Sequence, residues 1–208
     1  MKINDLIAEC RNRIDVIGLS RVHGVYPKSV WNKFFDFENF LPIACNHALR
    51  FDEELQPGSR AIDVGCGFGY VALALEVLGH TCVAWDTPSP VLRNVAHMIP
   101  VRERNFKVIT REMDSPELLA DYDLILLHGV WPMRDAGGWW ELPDYVRLAA
   151  GLGAGLKPGG RMEILVNRGD ELPKICNWAA WKLAVDEYTT VAIDDNCITF
   201  RRHAPVAV

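Results

Sequence analysis

Between Arg60 and Tyr70 the chain reads R-A-I-D-V-G-C-G-F-G-Y, an acidic residue, Asp63, followed by glycines at alternate positions 65, 67 and 69. Glycine lacks a Cβ, so such a loop adopts dihedrals closed to other residues and lets backbone approach a bound molecule closely. That chemistry suits a nucleotide-type cofactor. Other groups with chemical capacity recur downstream: Asp86 after an apolar run, Glu112, Met113 and Asp114 after another, and His128 after a third. An imidazole titrates near neutrality and can take a proton from a hydroxyl, thiol or amine. Hydrogen bonding to nearby backbone is the alternative role for His128.

The glycine loop alone does not choose between cofactors. A dinucleotide fingerprint places its third glycine one residue later, at the position held by Tyr70. Asp63 also sets a carboxylate near the loop, which suits a ligand bearing an ammonium or sulfonium charge better than a pyrophosphate.

These residues need elements to position them. Ile3, Leu6, Ile7, Cys10 and Ile14 recur at helical spacing and predict an opening amphipathic helix. Ser20 to Pro27 has the character of a turn. Trp31, Phe34, Phe35, Phe37 and Phe40 then put five rings into ten residues, which need burial and are expected both to pack on the main domain and to cover a substrate pocket. From Ala61 onward short apolar runs alternate with helical ones: strands at Ala61 to Val64, Thr81 to Trp85, Phe106 to Thr110, Leu124 to Leu127 and Met162 to Val166, with a K-P-G-G turn at Lys157 to Gly160 before the last. Helices are expected at Tyr70 to Leu78, Pro90 to Met98, about Leu142 to Leu156 and near Leu172 to Leu183. Tyr188 to Ile193 and Cys197 to Arg201, joined by Asp194, Asp195 and Asn196, predict an antiparallel hairpin. The expected fold is therefore α/β: a Rossmann-like, seven-stranded, mostly parallel sheet with an antiparallel C-terminal hairpin and helices on both faces. Residues 1–54 form an N-terminal helical segment and 55–208 the domain proper. In open sheets of this kind ligands bind beyond the carboxyl ends of the strands, where each candidate group lies.

Composition narrows the partners. With 208 residues, half of them hydrophobic, the chain can bury a sizeable core. A formal net charge of -5 and the absence of a basic run disfavour nucleic acid. Six scattered cysteines without a Cys-x-x-Cys pair fit a reducing, cytoplasmic compartment and no metal site. No unbroken run of 18 apolar residues is present, so a membrane span is not expected.

Together, Asp63, the glycine triplet, Asp86 at a strand end, the Tyr122 to Leu127 strand, the Lys157 to Gly160 turn and the final hairpin resemble the class I S-adenosylmethionine-dependent methyltransferases, over roughly Leu55 to Arg202. The short connections and the Val83 to Asp86 strand end resemble the small single-domain, tellurite-resistance and small-molecule members. The resemblance implies S-adenosylmethionine as cofactor, with Asp63, Gly65, Cys66, Gly67 and Gly69 along its methionine side, Asp86 accepting from the ribose hydroxyls, Thr87 and Met113 flanking adenine, and His128 near the reacting end. The family's adenine acceptor is usually an Asp; Glu112 stands at the matching position and Asp114 two residues on.

It further implies methyl transfer to an O, N or S nucleophile of a small molecule, with Tyr26, Trp31, Tyr70, Trp131 and Arg134 as pocket candidates. Members that methylate base amines carry an Asp or Asn with two prolines and an aromatic where this chain has His128 to Pro132. Three alternatives stay open: another reaction of the sulfonium, such as cyclisation that releases methylthioadenosine; methylation of a protein; and a non-catalytic cofactor-binding role. The acceptor and the oligomeric state are not legible.

Overall fold

A computed structural model describes residues 1–29, 31–107, 121–128, 148, 151–165, 188–194 and 197–203. The elements run α1 Ile3–Arg13, α2 Val16–Val25, a 3-10 turn Asn32–Phe35, α3 Phe37–Asp52, β1 Arg60–Val64, α4 Tyr70–Val77, β2 Thr81–Asp86, α5 Pro90–Val95, β3 Glu103–Phe106, β4 Tyr122–His128, β5 Leu156–Leu165, β6 Tyr188–Asp194 and β7 Cys197–Arg202. The strand order is β3-β2-β1 among the first three strands and β4-β5-β7-β6 among the last four. Pairs β1/β2, β2/β3 and β4/β5 are parallel, whereas β5/β7 and β6/β7 are antiparallel, as expected for the hairpin. The chain forms two compact units, residues 1–108 and 109–208.

In the first unit, β1 and β2 are apolar almost throughout because both sheet faces are covered. Trp85 of β2 is fully buried and donates its indole N–H to the Lys107 carbonyl at 3.0 Å. The N-terminal segment belongs to this unit. Leu6 and Cys10 of α1 and Leu41, Cys45 and Ala48 of α3 are buried, and α1, α3 and α4 pack on one another. Each fully buried leucine contributes about 1.5 to 3 kcal/mol relative to exposure.

Two local expectations are corrected here. Ser20 to Pro27 is not a turn: residues through Val25 continue α2, which Asp15 caps by accepting from the Gly18 amide at 2.9 Å. Gly18 serves close packing, since a Cβ there would lie 2.9 Å from Met98 Cγ. The third strand starts earlier than Phe106, at Glu103, and pairs Ala84 with Arg104 and Asp86 with Phe106. Its polar residues Glu103, Arg104 and Asn105 concealed it from an apolar pattern. Residues 108–110 of the expected strand lie outside the described residues.

In the second unit, β4 is buried over Leu124–Leu127 and pairs with β5. The K-P-G-G segment does not precede β5 but bulges from within it. Tyr122 pairs with Leu156 while Leu124 pairs with Arg161, so five steps along β5 oppose two along β4. Gly159, at φ 80°, makes the turn, and a Cβ on Gly160 would press within 3.0 Å of the Tyr122 carbonyl oxygen. The helices expected at 142–156 and 172–183 fall wholly or mostly outside the described residues, as do Asp195 and Asn196 of the hairpin turn. Among the described residues no helix is long and apolar enough to cross a membrane.

Candidate active site

The glycine loop is built from backbone. Gly65, Gly67 and Gly69 have φ of 76°, 57° and 87°, the left-handed region that L side chains rarely adopt. The amides of Gly65 and Cys66 both donate to the Trp85 carbonyl, at 2.7 and 3.1 Å, which ties the loop to β2. Gly69 closes the turn by donating to the Cys66 carbonyl at 2.9 Å and becomes the N-cap of α4.

Asp86 ends β2 and holds this loop. One carboxylate oxygen accepts from the Gly67 amide at 2.7 Å; the other accepts from the Thr87 amide at 2.7 Å and its hydroxyl at 3.3 Å. Burial raises the Asp86 carboxyl above its ordinary range, against the opposing pull of those three donors. Each carboxylate oxygen carries two lone pairs, so with three donors in place one acceptor site remains, on Oδ2. Asp63, buried on β1 opposite Ala84, and Asp86 both add to the burial that pushes the Cys66 thiol well above its usual range.

Two supports of the loop carry no signature in an apolar or glycine pattern. Arg104 of β3 donates to the carbonyls of Phe68 and Ile99, both at 2.9 Å, and its guanidinium lies where a Cβ on Gly69 would meet it at 3.0 Å. The signal available was a lone cation inside a short strand between apolar ones. On the other side, Phe34 stands over Gly67: a Cβ there would meet its ring at 3.0 Å. Replacing Gly67 with Ala therefore forces both an unfavourable φ and a displaced ring. The left-handed term alone costs about 1 to 2 kcal/mol, and denaturant unfolding of the variant should show at least that loss.

The aromatic segment thus packs on the loop. Phe34 and Phe35 contact Phe68 at centroid distances of 5.5 and 4.8 Å, and Trp31 and Phe40 flank Phe34 at 6.0 and 5.1 Å. Tyr70, a predicted pocket residue, donates its hydroxyl to the Phe34 carbonyl at 2.8 Å and is buried. Tyr26, half-buried, accepts through its hydroxyl from the Asn94 side chain at 3.2 Å. Trp31 is also half-buried. The first unit hence gathers Asp63, Gly65, Cys66, Gly67, Gly69, Asp86 and Thr87, with Tyr26 and Trp31 on its aromatic segment and Tyr70 opening α4.

In the second unit, His128 ends β4. Its Nε2 lies 3.1 Å from Oε1 of Glu163 on β5, and Arg161 donates to Oε2 of the same carboxylate at 2.7 Å. Glu163 is fully buried. A glutamate inside the apolar run Met162 to Leu165 was the signal that sequence reasoning passed over, because a buried carboxylate needs partners. Glu112, Met113, Asp114, Trp131 and Arg134 lie outside the described residues. Among the described residues no cluster of three or more His, Cys, Asp or Glu is placed to hold a metal.

Residues 39–135, from α3 through β4 and beyond, match the family model of the tellurite resistance protein TehB. A solved TehB-like SAM-dependent methyltransferase from Corynebacterium glutamicum shares the fold with a TM-score of 0.55 at 15% identity, over 76% of this chain and 86% of that one. The family match spans just under half of the chain, and the solved structure shows a shared fold. The N-methyltransferase NodS from Bradyrhizobium japonicum also shares this chain's fold, at TM-score 0.53 and 12% identity, covering 81% of this chain and 99% of that one. No curated protein matches the chain.

S-adenosylmethionine is the cofactor named for the Corynebacterium glutamicum protein. The residues present fit that cofactor. Three left-handed glycines make a turn of bare backbone, and the buried carboxylate of Asp86 stands at its edge as a fixed acceptor.

Proposed function

We propose that the glycine loop and Asp86 hold S-adenosylmethionine, that residues 26–40 cover it, and that His128 takes the proton of an O, N or S acceptor of small size. The observation that carries this reading is the 2.7 Å bond between the Gly67 amide and the Asp86 carboxylate, which fuses a backbone cradle to a fixed anionic acceptor at a strand end. Asp86 accepts from the ribose hydroxyls, Asp63 lies toward the positively charged methionine part, and Thr87 borders the base. The aromatic segment excludes water, which strengthens every charge interaction beneath it. Support for the cover is Phe34 over Gly67 and the Tyr70 hydroxyl on the Phe34 carbonyl. The free thiols of Cys10, Cys45, Cys66 and Cys82 support a reducing, cytoplasmic setting.

When bound, the cofactor supplies a methyl group on a positively charged sulfur. The protein's part is then alignment, exclusion of water and removal of one proton.

Incubation with S-adenosylmethionine and a pool of small hydroxyl, thiol and amine compounds is expected to release S-adenosylhomocysteine in step with one methylated compound. Methylthioadenosine in its place would identify a different use of the sulfonium, and a methylated polypeptide would make the acceptor a protein. In the same preparation, amides of residues 31–40 should exchange more slowly once S-adenosylhomocysteine is added. Cofactor binding with unchanged exchange there would remove the cover assignment.

A further inference from the structure

We infer that Tyr70 is a positioning residue that latches the aromatic segment onto the glycine loop, and that release of this latch sets the rate at which S-adenosylmethionine or S-adenosylhomocysteine leaves the loop. The inference deepens the proposed cover and rests on that reading for its kinetic half. The latch itself is a bond in the structure.

Gly69, left-handed at φ 87°, ends the loop and makes Tyr70 the first residue of α4. The Tyr70 side chain is buried, its ring centroid 6.2 Å from that of Phe68. A buried phenol hydroxyl needs a partner, and this one donates to the Phe34 carbonyl at 2.8 Å, 36 residues back along the chain. Burial and the negative charge of Asp36 both push the phenol's pKa up, so the hydroxyl keeps its hydrogen. The ring of Phe34 lies against Gly67, flanked by Trp31 and Phe40. Backbone and side chain of one residue are therefore fixed at two points of the same loop, Tyr70 and Gly67.

The two sides of this contact are held unequally. The loop is tied to β2 by the Gly65 and Cys66 amides on the Trp85 carbonyl and by the Gly67 amide on Asp86, and to β3 by Arg104 on the Phe68 carbonyl. The aromatic segment has no comparable ties. Among the described residues, every other hydrogen bond of residues 31–36 reaches at most five positions along the chain, such as Asn32 Nδ2 to the Pro27 carbonyl and Asn39 Nδ2 to the Asp36 carboxylate. The segment is thus the side that moves. Rings packed on rings slide with little directional cost, whereas a hydrogen bond fixes both distance and angle, so the Tyr70 hydroxyl sets where the segment rests. A glycine at position 70, as in a dinucleotide loop, would supply no such donor.

Tyr70→Phe keeps the ring and removes the donor. Amide hydrogen exchange of the full chain, without added cofactor, should show residues 31–36 of the wild type exchanging faster than the buried α4 residues Leu73 and Leu75, through an opening of their own. In Tyr70→Phe that opening should become about 2- to 12-fold more frequent, the span that one net hydrogen bond represents. S-adenosylhomocysteine, followed by tryptophan fluorescence, should dissociate faster from the variant by the same factor; a merely structural role would leave that rate unmoved. Unchanged exchange of residues 31–36 in the variant overturns the latch. So does a wild-type segment that exchanges no faster than Leu73 and Leu75, a result that needs no variant. Faster exchange with unchanged dissociation overturns the kinetic half. Failure of the wild type to bind S-adenosylhomocysteine removes the cofactor reading, and the kinetic half with it, while the exchange data still decide the latch.

Discussion

Asp86→Ala is expected to weaken S-adenosylmethionine binding by about 10- to 100-fold, because a hydrogen bond to a charged group contributes roughly 1.5 to 3 kcal/mol and each 1.4 kcal/mol is a factor of ten. Two effects add. The variant loses the acceptor for the ribose hydroxyls, and it releases the Gly67 and Thr87 amides that the carboxylate holds at 2.7 Å. Fold stability should change less than affinity, since removing Asp86 also removes a buried charge whose desolvation raises its own protonation. Calorimetry with S-adenosylhomocysteine and parallel denaturant unfolding separate the two, and an unchanged affinity would take Asp86 out of the site.

The pH dependence has opposite signs for folding and for binding. A carboxyl group raised in the folded state contributes stability below its unfolded value and loses it as pH rises through the folded value. Cofactor binding needs the anion, so affinity is full above the folded value and falls as acid protonates Asp86.

His128→Gln is expected to lower turnover by about 10²- to 10⁴-fold with little change in cofactor affinity, if the imidazole removes a proton during transfer. Gln keeps hydrogen-bonding capacity in nearly the same place and cannot take a proton. A rise in acceptor KM with a smaller fall in kcat would make His128 a positioning group for the substrate. The comparison belongs across a range of pH, because an amine acceptor can lose its proton before it binds. Wild-type rates and acceptor affinity throughout would leave His128 a structural residue at the end of β4.

The sequence by itself determined the elements whose chemistry is local. Alternating glycines need no distant partner to demand a left-handed loop, and all three have positive φ. Short runs such as Ala61 to Val64 and Leu124 to Leu127 announce buried strands through hydrophobicity alone, and Asp86 and His128 mark the ends where those runs stop. Elements whose burial depends on polar partners were not legible. The strand from Glu103 tolerates a polar sequence because the Arg104 guanidinium donates to the carbonyls of Phe68 and Ile99, thirty-six and five residues away. The K-P-G-G bulge resembles an ordinary turn until the Tyr122 and Leu124 pairings show that it interrupts a strand.

Tertiary structure alone decided how the candidate groups are used. Asp86 serves the loop amides as well as offering acceptor capacity, Tyr70 clasps the aromatic segment through the Phe34 carbonyl, and His128 shares Glu163 with Arg161. The physical reason is common to all three. A side chain's type and spacing set which bonds it can make, but hydrogen bonds act over about 3 Å, and the residues that come within that reach are chosen by strand register and packing across long separations in sequence.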